Sequence, residues 1–409
     1  MKIFPIQING RWGFINRKGK VVIPPRFDSL SEIDTFPPDM VIYTLRTQPK
    51  IDCEIGFKKG LALAEKDGRI GFINGKGKMI FPLPSGECHA ILSDGLIKIR
   101  IGKYFGFLDK NGLIAIRPKF ECVKDFSEGL AAFNIGSRTR KIDERKMMVG
   151  GKWGFINKSG RVVIKARFKD IWYFNDGLAK VKIGKKWIFI DNKGRVAIKH
   201  RFYAVHSFQE GRAAVGVKGR GGLRDGYIDR NGEYVVKPQY FYATDFFNGL
   251  AAVYVGGKII KGDFAEGKWG FINKAGKMVI NPQFDCVYGV WAYKPSFSEG
   301  LAAANIGGKD LIGEFSGGKW GFINKKGEWI IKPIFKMALN FHEGLAAVKN
   351  EGKWGYINKQ GKWVIRPKFK SANNFSGGLA MVEIDKKRWS YIDKTGKYLR
   401  LTFSKRVFS

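Results

Sequence analysis

The chain repeats one short motif along nearly its whole length. Residues 319–348, KWGFINKKGEWIIKPIFKMALNFHEGLAAV, are followed after four residues by a second copy that begins KWGYINKQGKWVIRPKF. Alignment on the aromatic residue before the first glycine gives ten copies, at Trp12, Ile70, Phe105, Trp153, Trp187, Asp225, Trp269, Trp320, Trp354 and Trp389. A period of 34 or 35 residues is typical of solenoids, propellers and arrays. The sequence therefore predicts one tandem array over residues 1–409, with units that start near 11, 69, 104, 152, 186, 224, 268, 319, 353 and 388.

Each copy contains three short runs with the two-residue alternation of strands. In the ninth unit these are LAAVK, WGYIN and KWVIRP, with the tetrapeptide NKQG between the last two. Asn358 followed by Gly361 suits a hairpin turn whose last residue needs a positive φ, and the pair recurs in other units. Gly355 is expected to let a neighbouring backbone or ring approach closely. The chain is thus predicted to be all-β, built from three-stranded antiparallel meanders.

The connector to the next unit is less regular. In PIFKMALNFHEG, Phe335, Ala338 and Phe341 recur every three residues, which is closer to a helical turn than to a strand. Both chain ends carry complete strand triplets, and ten units exceed the usual four to eight propeller blades. These features favour an open or spiral stack, with a closed propeller-like ring as the alternative.

Insertions lengthen some units. Residues 134–150, 254–266 and 305–317 have the glycine and charge content of loops or lengthened hairpins. Residues 28–57 differ because six acidic residues face two basic ones. This acidic insertion is interpreted as a cap on the first repeat, or alternatively as a docking segment that competes with an anionic ligand.

The motif K-W-G-[FY]-I-[ND]-x-x-G, followed by P-x-F and F-x-E-G-L-A-x-V, resembles the WG-repeat family, also called KWG repeats, which is found mainly in bacteria. It is clearest at 152–181, 268–304, 319–348 and 353–382. Ile70 and Asp225 depart from it, so packing should be weaker there. The resemblance implies a β-rich tandem array with an interaction role, and it implies no catalytic residues.

Basic residues dominate the charge balance. Lys and Arg total 73 against 36 Asp and Glu, a formal net charge of +37. Many are fixed to the repeat. A pre-motif row directly precedes the aligned position: Arg11, Arg69, Lys152, Lys186, Arg224, Lys268, Lys319, Lys353 and Arg388. An outer row lies near the end of the third strand: Arg117, Lys165, Lys199, Lys237, Lys332 and Arg366. Stacking in register would align these charges, and an extended anionic polymer could meet them.

The sequence offers little for catalysis or cofactors. His89, His200, His206 and His342 are too scattered for metal-ligand spacing. The acidic residues that precede the strand-opening glycine, such as Glu299 and Glu343, recur once per unit and are interpreted as scaffold. No GxxxxGK[ST] phosphate loop is present. We therefore expect no catalytic, metal or cofactor site.

Two functions remain for a noncatalytic scaffold. The basic rows favour binding to an anionic macromolecule or an acidic protein surface, with nucleic acid possible. The alternative is a protein-interaction platform whose specificity lies in the insertions, with the charge serving solubility; an enzyme is disfavoured. Most aromatic side chains are expected to be buried, Trp329 and Trp363 being the best exceptions. The sequence shows no signal peptide and no apolar run that could span a membrane, and its four spaced cysteines favour a cytoplasmic setting.

Overall fold

The computed structural model describes residues 2–31, 61–67, 69–82, 91–101, 103–109, 113–142, 145–219, 222–260, 263–287, 297–311, 314–385 and 388–400. These residues form strands and turns, with no helix among them. Described residues up to Phe202 belong to one compact unit, and those from Tyr203 to Arg400 belong to a second.

The first unit contains five small antiparallel sheets, which we call modules 1 to 5. Their strands are β1 (Ile3–Ile8), β2 (Arg11–Asn16) and β3 (Val21–Phe27) in module 1; β4 (Ser29–Ser31), β5 (Leu61–Lys66), β6 (Arg69–Asn74) and β7 (Met79–Pro82) in module 2; β8 (Ile91–Ser93), β9 (Leu96–Ile101), β10 (Tyr104–Leu108) and β11 (Ile114–Phe120) in module 3; β12 (Cys122–Ser127), β13 (Leu130–Ile142), β14 (Arg145–Asn157) and β15 (Val162–Phe168) in module 4; β16 (Asp170–Asn175), β17 (Leu178–Ile183), β18 (Lys186–Ile190) and β19 (Val196–Phe202) in module 5.

The second unit contains modules 6 to 10. Their strands are β20 (Ala204–Val205), β21 (Ala213–Gly219), β22 (Gly222–Ile228) and β23 (Tyr234–Tyr240) in module 6; β24 (Tyr242–Ala243), β25 (Leu250–Ile260), β26 (Asp263–Asn273) and β27 (Met278–Phe284) in module 7; β28 (Leu301–Leu311), β29 (Glu314–Asn324) and β30 (Trp329–Phe335) in module 8; β31 (Met337–Ala338), β32 (Ala346–Asn350), β33 (Lys353–Ile357) and β34 (Trp363–Phe369) in module 9; β35 (Ser371–Ala372), β36 (Leu379–Asp385) and β37 (Arg388–Asp393) in module 10. The predicted all-β array of antiparallel meanders is confirmed, and within each unit the extensive contacts between modules join sequence neighbours in an open series.

The prediction that the connector is closer to a helical turn than to a strand is wrong. The connector is a short strand that adds a fourth, edge position to most sheets, as β12 does in module 4 and β31 in module 9. In β12 the pairing shifts between Val123 and Phe126, which lie opposite Phe133 and Ala131. This β-bulge inserts one extra residue, so apolar residues three apart face the same core. The three-residue spacing of apolar residues in the connector is therefore the result of a bulge in a strand.

The hairpin turns form as the sequence predicts. In module 9 the Gly361 N–H donates to the Asn358 carbonyl at 2.9 Å, and Gly361 has φ of 76°. The Asn358 side-chain oxygen also accepts from the Lys362 N–H at 3.0 Å. A Cβ added at Gly361 would lie 3.3 Å from Ile331 Cγ2 of module 8, so the turn glycine also packs modules together.

The hydrophobic cores lie between successive sheets. A phenylalanine or tyrosine of one module's middle strand packs against the connector phenylalanine of the next, as Phe155 does with Phe174 and Tyr356 with Phe375, at centroid separations of 4.7 and 4.8 Å. All four rings are buried. Full burial of such a side chain contributes roughly 1.5–3 kcal/mol. Each module is therefore stabilised mainly by its neighbours.

Three insertions form long hairpins, which confirms that prediction. Residues 134–150 extend β13 and β14, residues 254–266 extend β25 and β26, and residues 305–317 extend β28 and β29. Most of the acidic insertion 28–57 lies outside the described residues, as do Cys53, Cys88 and His89. Cys122 is half-buried and Cys286 is buried, and neither forms a disulfide among the described residues.

Candidate anion-binding surface

The tryptophan-glycine motif shapes the strand that carries the outer row. In module 4, Trp153 pairs with Phe168 and Phe155 with Ile164, so residues 165–167 bulge opposite Gly154. A Cβ added at Gly154 would lie 2.4 Å from the Ile164 carbonyl oxygen, a distance that real side chains do not tolerate. The glycine therefore allows the close backbone approach that the sequence predicts, and the bulge projects Lys165 into solvent.

The outer row is exposed in every module where it occurs. Each of its members directly follows a buried isoleucine or valine of the third strand: Arg117, Lys165, Lys199, Lys237, Lys332 and Arg366. Within the described part of the chain, none of these six side chains makes a hydrogen bond or an ion pair with another residue. Their charges are thus available to a partner.

Registered packing aligns the outer row within each unit. The turn glycines Gly160 and Gly194 contact Ile116 and Ile164 of the preceding modules, so equivalent positions in modules 3, 4 and 5 follow one another. In the second unit the same position is basic in modules 6, 8 and 9, while Asn281 interrupts it in module 7.

The row also lies on a sheet edge. The third strand is the outermost strand of each four-stranded sheet, as β15 and β34 show. It carries exposed apolar residues beside the cations, including Val162 and Val163 at 54% and 43% exposure. Lysine and proline on an edge strand also prevent pairing with other chains. Edge protection is therefore a second physical role for the same lysines.

The pre-motif row is less available. Arg11 is ion-paired with Asp28, Lys268 with Asp285 at 2.5 Å, and the Arg224 guanidinium lies 5.1 Å from the Phe241 ring centroid. Arg69, Lys152, Lys186, Lys319 and Lys353 are exposed. The Arg388 side chain lies outside the described residues. Three members of this row thus contact nearby side chains, and five others have exposed side chains.

Basic residues two positions after the outer row hold modules together. The Arg26 and Arg167 guanidinium groups each donate to a turn-glycine carbonyl of the next module, Gly77 and Gly194, at 2.6 Å. Lys368 reaches Gly396 at 3.5 Å. Part of the positive charge is therefore structural.

The carboxylates before the strand-opening glycine form clamps between modules, which confirms their interpretation as scaffold. Glu299 accepts from the Gly344 N–H of module 9 at 3.0 Å and pairs with Lys359 of the same module at 3.1 Å. Lys359 also donates to the Glu299 backbone carbonyl at 3.0 Å. The same clamp joins Asp94 to Gly129 and Lys158, Glu210 to Gly249 and Lys274, and Glu343 to Gly378 and Lys394.

Sequence reasoning missed the clamp lysines. Their signal is the lysine that follows the turn asparagine or aspartate in several units, as in Asn358-Lys359 and Asp393-Lys394. Each clamp carboxylate lies at positive φ, near 52° for Glu299. For Glu299, desolvation opposes ionisation, but hydrogen bonds from Lys359 and the Gly344 N–H outweigh it and lower the pKa from 4.5. The clamp therefore favours the ionised carboxylate.

Trp329 and Trp363, the two tryptophans beside the hairpin turns, are not free stacking platforms. Trp329 and Trp363 are half-buried, and their rings meet Phe284 and Phe335 of the preceding modules edge-on at 5.5 and 5.8 Å. The prediction that they are exceptions to aromatic burial is wrong, because each covers the end of a core shared by two modules.

Module 6 departs from the repeat at Asp225, which replaces the motif tryptophan. This carboxylate is buried and accepts from the Ala243 N–H at 3.0 Å. Desolvation raises its pKa, against the influence of His206 and the Ala243 N–H. His206 in turn lies 3.0 Å from Asp245. Within the described residues, no group of three or more His, Cys, Asp or Glu side chains is arranged to hold a metal ion.

A family model described as a WG-containing repeat matches the chain at residues 12–34, 105–138, 153–187, 189–220, 226–258, 269–290, 320–354 and 354–387. These matches cover more than half of the chain. No curated protein matches it significantly. In the described part of the chain, no helix is long and apolar enough to cross a bilayer.

Several solved structures are similar in part. A crystal structure of a eukaryotic initiation factor is 11% identical, with 80% of this chain and 92% of that chain covered and a TM-score of 0.48. BamB from Moraxella catarrhalis is 11% identical over 60% and 78% of the two chains, with a TM-score of 0.32. The β-propeller domain of the Trilobed protease from Pyrococcus furiosus is 12% identical over 69% and 98%, also with a TM-score of 0.32.

Proposed function

The chain belongs to the WG-repeat family, and on that premise we propose that it is a noncatalytic scaffold that binds an extended anionic partner along its outer row. A repeat-rich β protein of this kind is suited to a scaffold or interaction role. The single observation that supports the finer proposal is the outer row, six exposed cations at equivalent positions that have no partner among the described residues.

Electrostatics favours an anionic partner. Like charges held at fixed positions repel one another over roughly 10 Å at 0.1 M salt. Arg117, Lys165 and Lys199 occupy equivalent exposed positions in three consecutive modules and form no ion pair among the described residues. A polyanion relieves this repulsion and releases its own counterions. Contacts to phosphates or sulfates would give affinity without sequence specificity.

A charge-matched pair of variants tests the proposal. Arg117→Glu/Lys165→Glu/Lys199→Glu reverses three outer-row charges, and Lys18→Glu/Lys76→Glu/Lys193→Glu reverses three exposed hairpin-turn charges of the same unit. Binding to DNA, RNA, heparin and anionic vesicles is measured at several salt concentrations. For duplex DNA, the log–log salt slope should fall by about 0.9 for each lost phosphate contact in the outer-row variant only. Equal weakening in both variants would show that binding follows net charge alone.

The long hairpins favour a second candidate, a protein-interaction platform. They extend β13–β14, β25–β26 and β28–β29 beyond the length of the other modules. Ile135 and Ile306, near the bases of two hairpins, are 58% and 40% exposed. Deletion of 134–150 or 305–317 should then remove a protein partner in a pull-down while heparin retention stays unchanged. Loss of heparin retention instead would assign the hairpins to polyanion binding.

A further inference from the structure

Three lysines approach one another on the connector side of modules 3, 4 and 5, away from the outer row. We call Lys98, Lys124 and Lys180 the lysine cluster. Lys98 lies on β9, Lys124 on β12 and Lys180 on β17. All three are largely or partly buried, with 12% exposure for the Lys98 side chain and 9% for Lys180.

Three aromatic side chains, Trp153, Trp172 and Tyr173, join the cluster. The Lys124 and Lys180 ammonium nitrogens lie 4.9 and 4.5 Å from the centroid of the same Trp172 ring. Lys124 is also 5.2 Å from the Trp153 ring and 5.6 Å from the Tyr173 ring. Trp172 and Tyr173 are half-buried, so a ligand can reach them from solvent.

Hydrogen bonds fix the positions of the cations. Lys124 donates to the Ile171 carbonyl of module 5 at 2.7 Å, and Lys98 pairs with Asp125 of module 4 at 2.7 Å. The Tyr173 hydroxyl lies 3.4 Å from the same carboxylate. Groups from three modules are therefore held in one constellation.

Both carboxylates and cations act on Lys124 in this site. Asp125 and Asp170 are the carboxylates that act on Lys124, while Lys98 opposes its charge. Desolvation is the largest influence and lowers the pKa of Lys124 from 10.5. Asp170 also lies opposite Lys182 in the β16–β17 ladder, which adds a fourth cation nearby. Desolvation of a buried cation destabilises the protein, and a bound anion would offset that cost.

Comparison of modules shows that the fold does not need these lysines. The strand after the connector begins with LAAV in module 7, and its third residue there is Ala252. The same position is Lys98 in module 3 and Lys180 in module 5. The equivalent residue is Ala132, Ala214, Ala252, Ala303 or Ala347 in five other modules. Those alanines are buried at 0–1% exposure. Lysine in an alanine position is unfavourable for packing, so its presence in two modules that flank a third indicates a function.

We propose that the lysine cluster, with Trp172 and Tyr173, is a binding site for a small phosphate-bearing molecule. Ammonium groups bind phosphate oxygens as point charges, and the two aromatic rings offer a stacking surface for a planar group. The site is separate from the outer row. Lys124, Trp172 and Tyr173 lie on the connector strands at the sheet edge opposite the third strand, and Lys98 and Lys180 lie on the strands paired with connector strands.

Calorimetric titration of the full chain with pyrophosphate, AMP and adenosine at constant ionic strength tests the site. Pyrophosphate and AMP should bind and adenosine should not. Tighter binding of AMP than of pyrophosphate would mean that the aromatic rings stack on the base. Equal affinities would mean that the phosphates alone are recognised. Absence of binding by both phosphates at millimolar concentration would overturn the proposal.

Alanine variants separate this role from a structural one. Lys180→Ala and Lys98→Ala restore the residue that sister modules carry, and each should weaken phosphate binding at least tenfold. Lys180→Ala should also raise the melting temperature without ligand and abolish its further rise with pyrophosphate. Lys165→Ala, in the outer row, is the matched control and should bind pyrophosphate as the parent does. A lower melting temperature for Lys180→Ala, or unchanged affinity in both variants, would contradict the proposal.

The two proposals fail independently. Charge reversal in the outer row should leave pyrophosphate binding intact, and Lys180→Ala should leave heparin retention intact. If Lys180→Ala reduced heparin binding as strongly as the outer-row variant does, the cluster would be part of the polyanion surface and no separate site would exist.

Discussion

Lys359 and Lys180 are the same residue type in two different kinds of position. Lys359 recurs in several modules and is engaged by a carboxylate and a carbonyl of the preceding module. Lys180 stands where five of the ten modules have alanine, and it lies nearly buried beside an indole. Residues at repeated positions hold neighbouring modules together. A residue that departs from the repeat gives up favourable packing, and we infer that it serves another property. Substitutions at the two kinds of position should therefore have opposite effects on stability.

The largest effect is expected at the motif glycine. Gly154→Ala places a Cβ against the Ile164 carbonyl and the Ala166 nitrogen, so the bulge must shift. We expect a loss of about 1–3 kcal/mol in the free energy of unfolding, as for other overpacked sites, measured by urea denaturation. Ile188 and Ser390 occupy this position in modules 5 and 10, so the fold should survive. A Gly154→Ala protein as stable as the parent would show that the bulge does not depend on glycine.

A smaller loss is expected at the clamp. Desolvation of Glu343 is outweighed by hydrogen bonds from the Gly378 and Gly377 N–H groups and by Lys394, and its pKa is lowered from 4.5. Because the folded-state pKa is depressed, the stabilisation is present above pH 4.5 and is lost as pH falls through the lowered value. Glu343→Gln should therefore reduce stability by about 1 kcal/mol at neutral pH, and the difference from the parent should shrink in acid.

Glu351→Gln is the control for the clamp prediction. Glu351 is exposed in a turn and also has a positive φ, of 46°. Thermal denaturation between pH 3 and pH 7 should show a pH-dependent difference for Glu343→Gln and none for Glu351→Gln. An equal effect of both substitutions would mean that the clamp hydrogen bonds add nothing to stability.

In the lysine cluster we expect a substitution to increase the free energy of unfolding, opposite to its effect at the clamp. Removal of one buried cation by Lys180→Ala should raise the free energy of unfolding by about 0.5–1 kcal/mol in phosphate-free buffer, in the range of other stabilising substitutions. The lowered pKa of Lys124 means that the unfolded chain binds more protons than the folded protein at alkaline pH. The parent should therefore gain stability as pH rises towards 10.5. A gain that is equally large in Lys124→Gln would assign it to other groups.

The smallest effect on stability is expected in the outer row. Lys165→Ala removes an exposed side chain that has no partner among the described residues. Its free energy of unfolding should stay within about 0.5 kcal/mol of the parent. Its salt-dependent retention on heparin should nevertheless decrease. Stability that falls by more than this would mean that edge protection, and not partner binding, is the main role of the lysine.

Sequence periodicity was sufficient for much of the fold. The positions of the strands, the Asn-to-Gly turns and the motif glycine follow from local rules that each unit obeys by itself, and Asn358 and Gly361 behave as those rules require. The connector was mispredicted because a bulge gave Val123 and Phe126 a three-residue spacing. The exposure of Trp363 was mispredicted because its partner, Phe335, belongs to another module.

For each candidate site, one part could be predicted from the sequence and another part is visible only in the structure. The outer row could be identified from sequence because its members occupy one repeat position, although only the structure shows which cations are engaged, as Lys268 is by Asp285. The lysine cluster left a trace in sequence, namely lysine at an alanine position, but that trace does not show that Lys98, Lys124 and Lys180 approach one another. Lys98 and Lys124 are 26 positions apart and Lys124 and Lys180 are 56 apart, so they meet only after modules 3, 4 and 5 pack.

The amino-acid sequence by itself determined the all-β class, the repeat period, the turns and the excess of positive charge. These properties depend on local backbone preferences and on composition. Only the tertiary structure decided which carboxylates and lysines clamp neighbouring modules, which cations stay free at the sheet edge, and which are buried beside aromatic rings. Such contacts depend on the packing of one module against the next, and the distances between their side chains are not encoded in any single repeat.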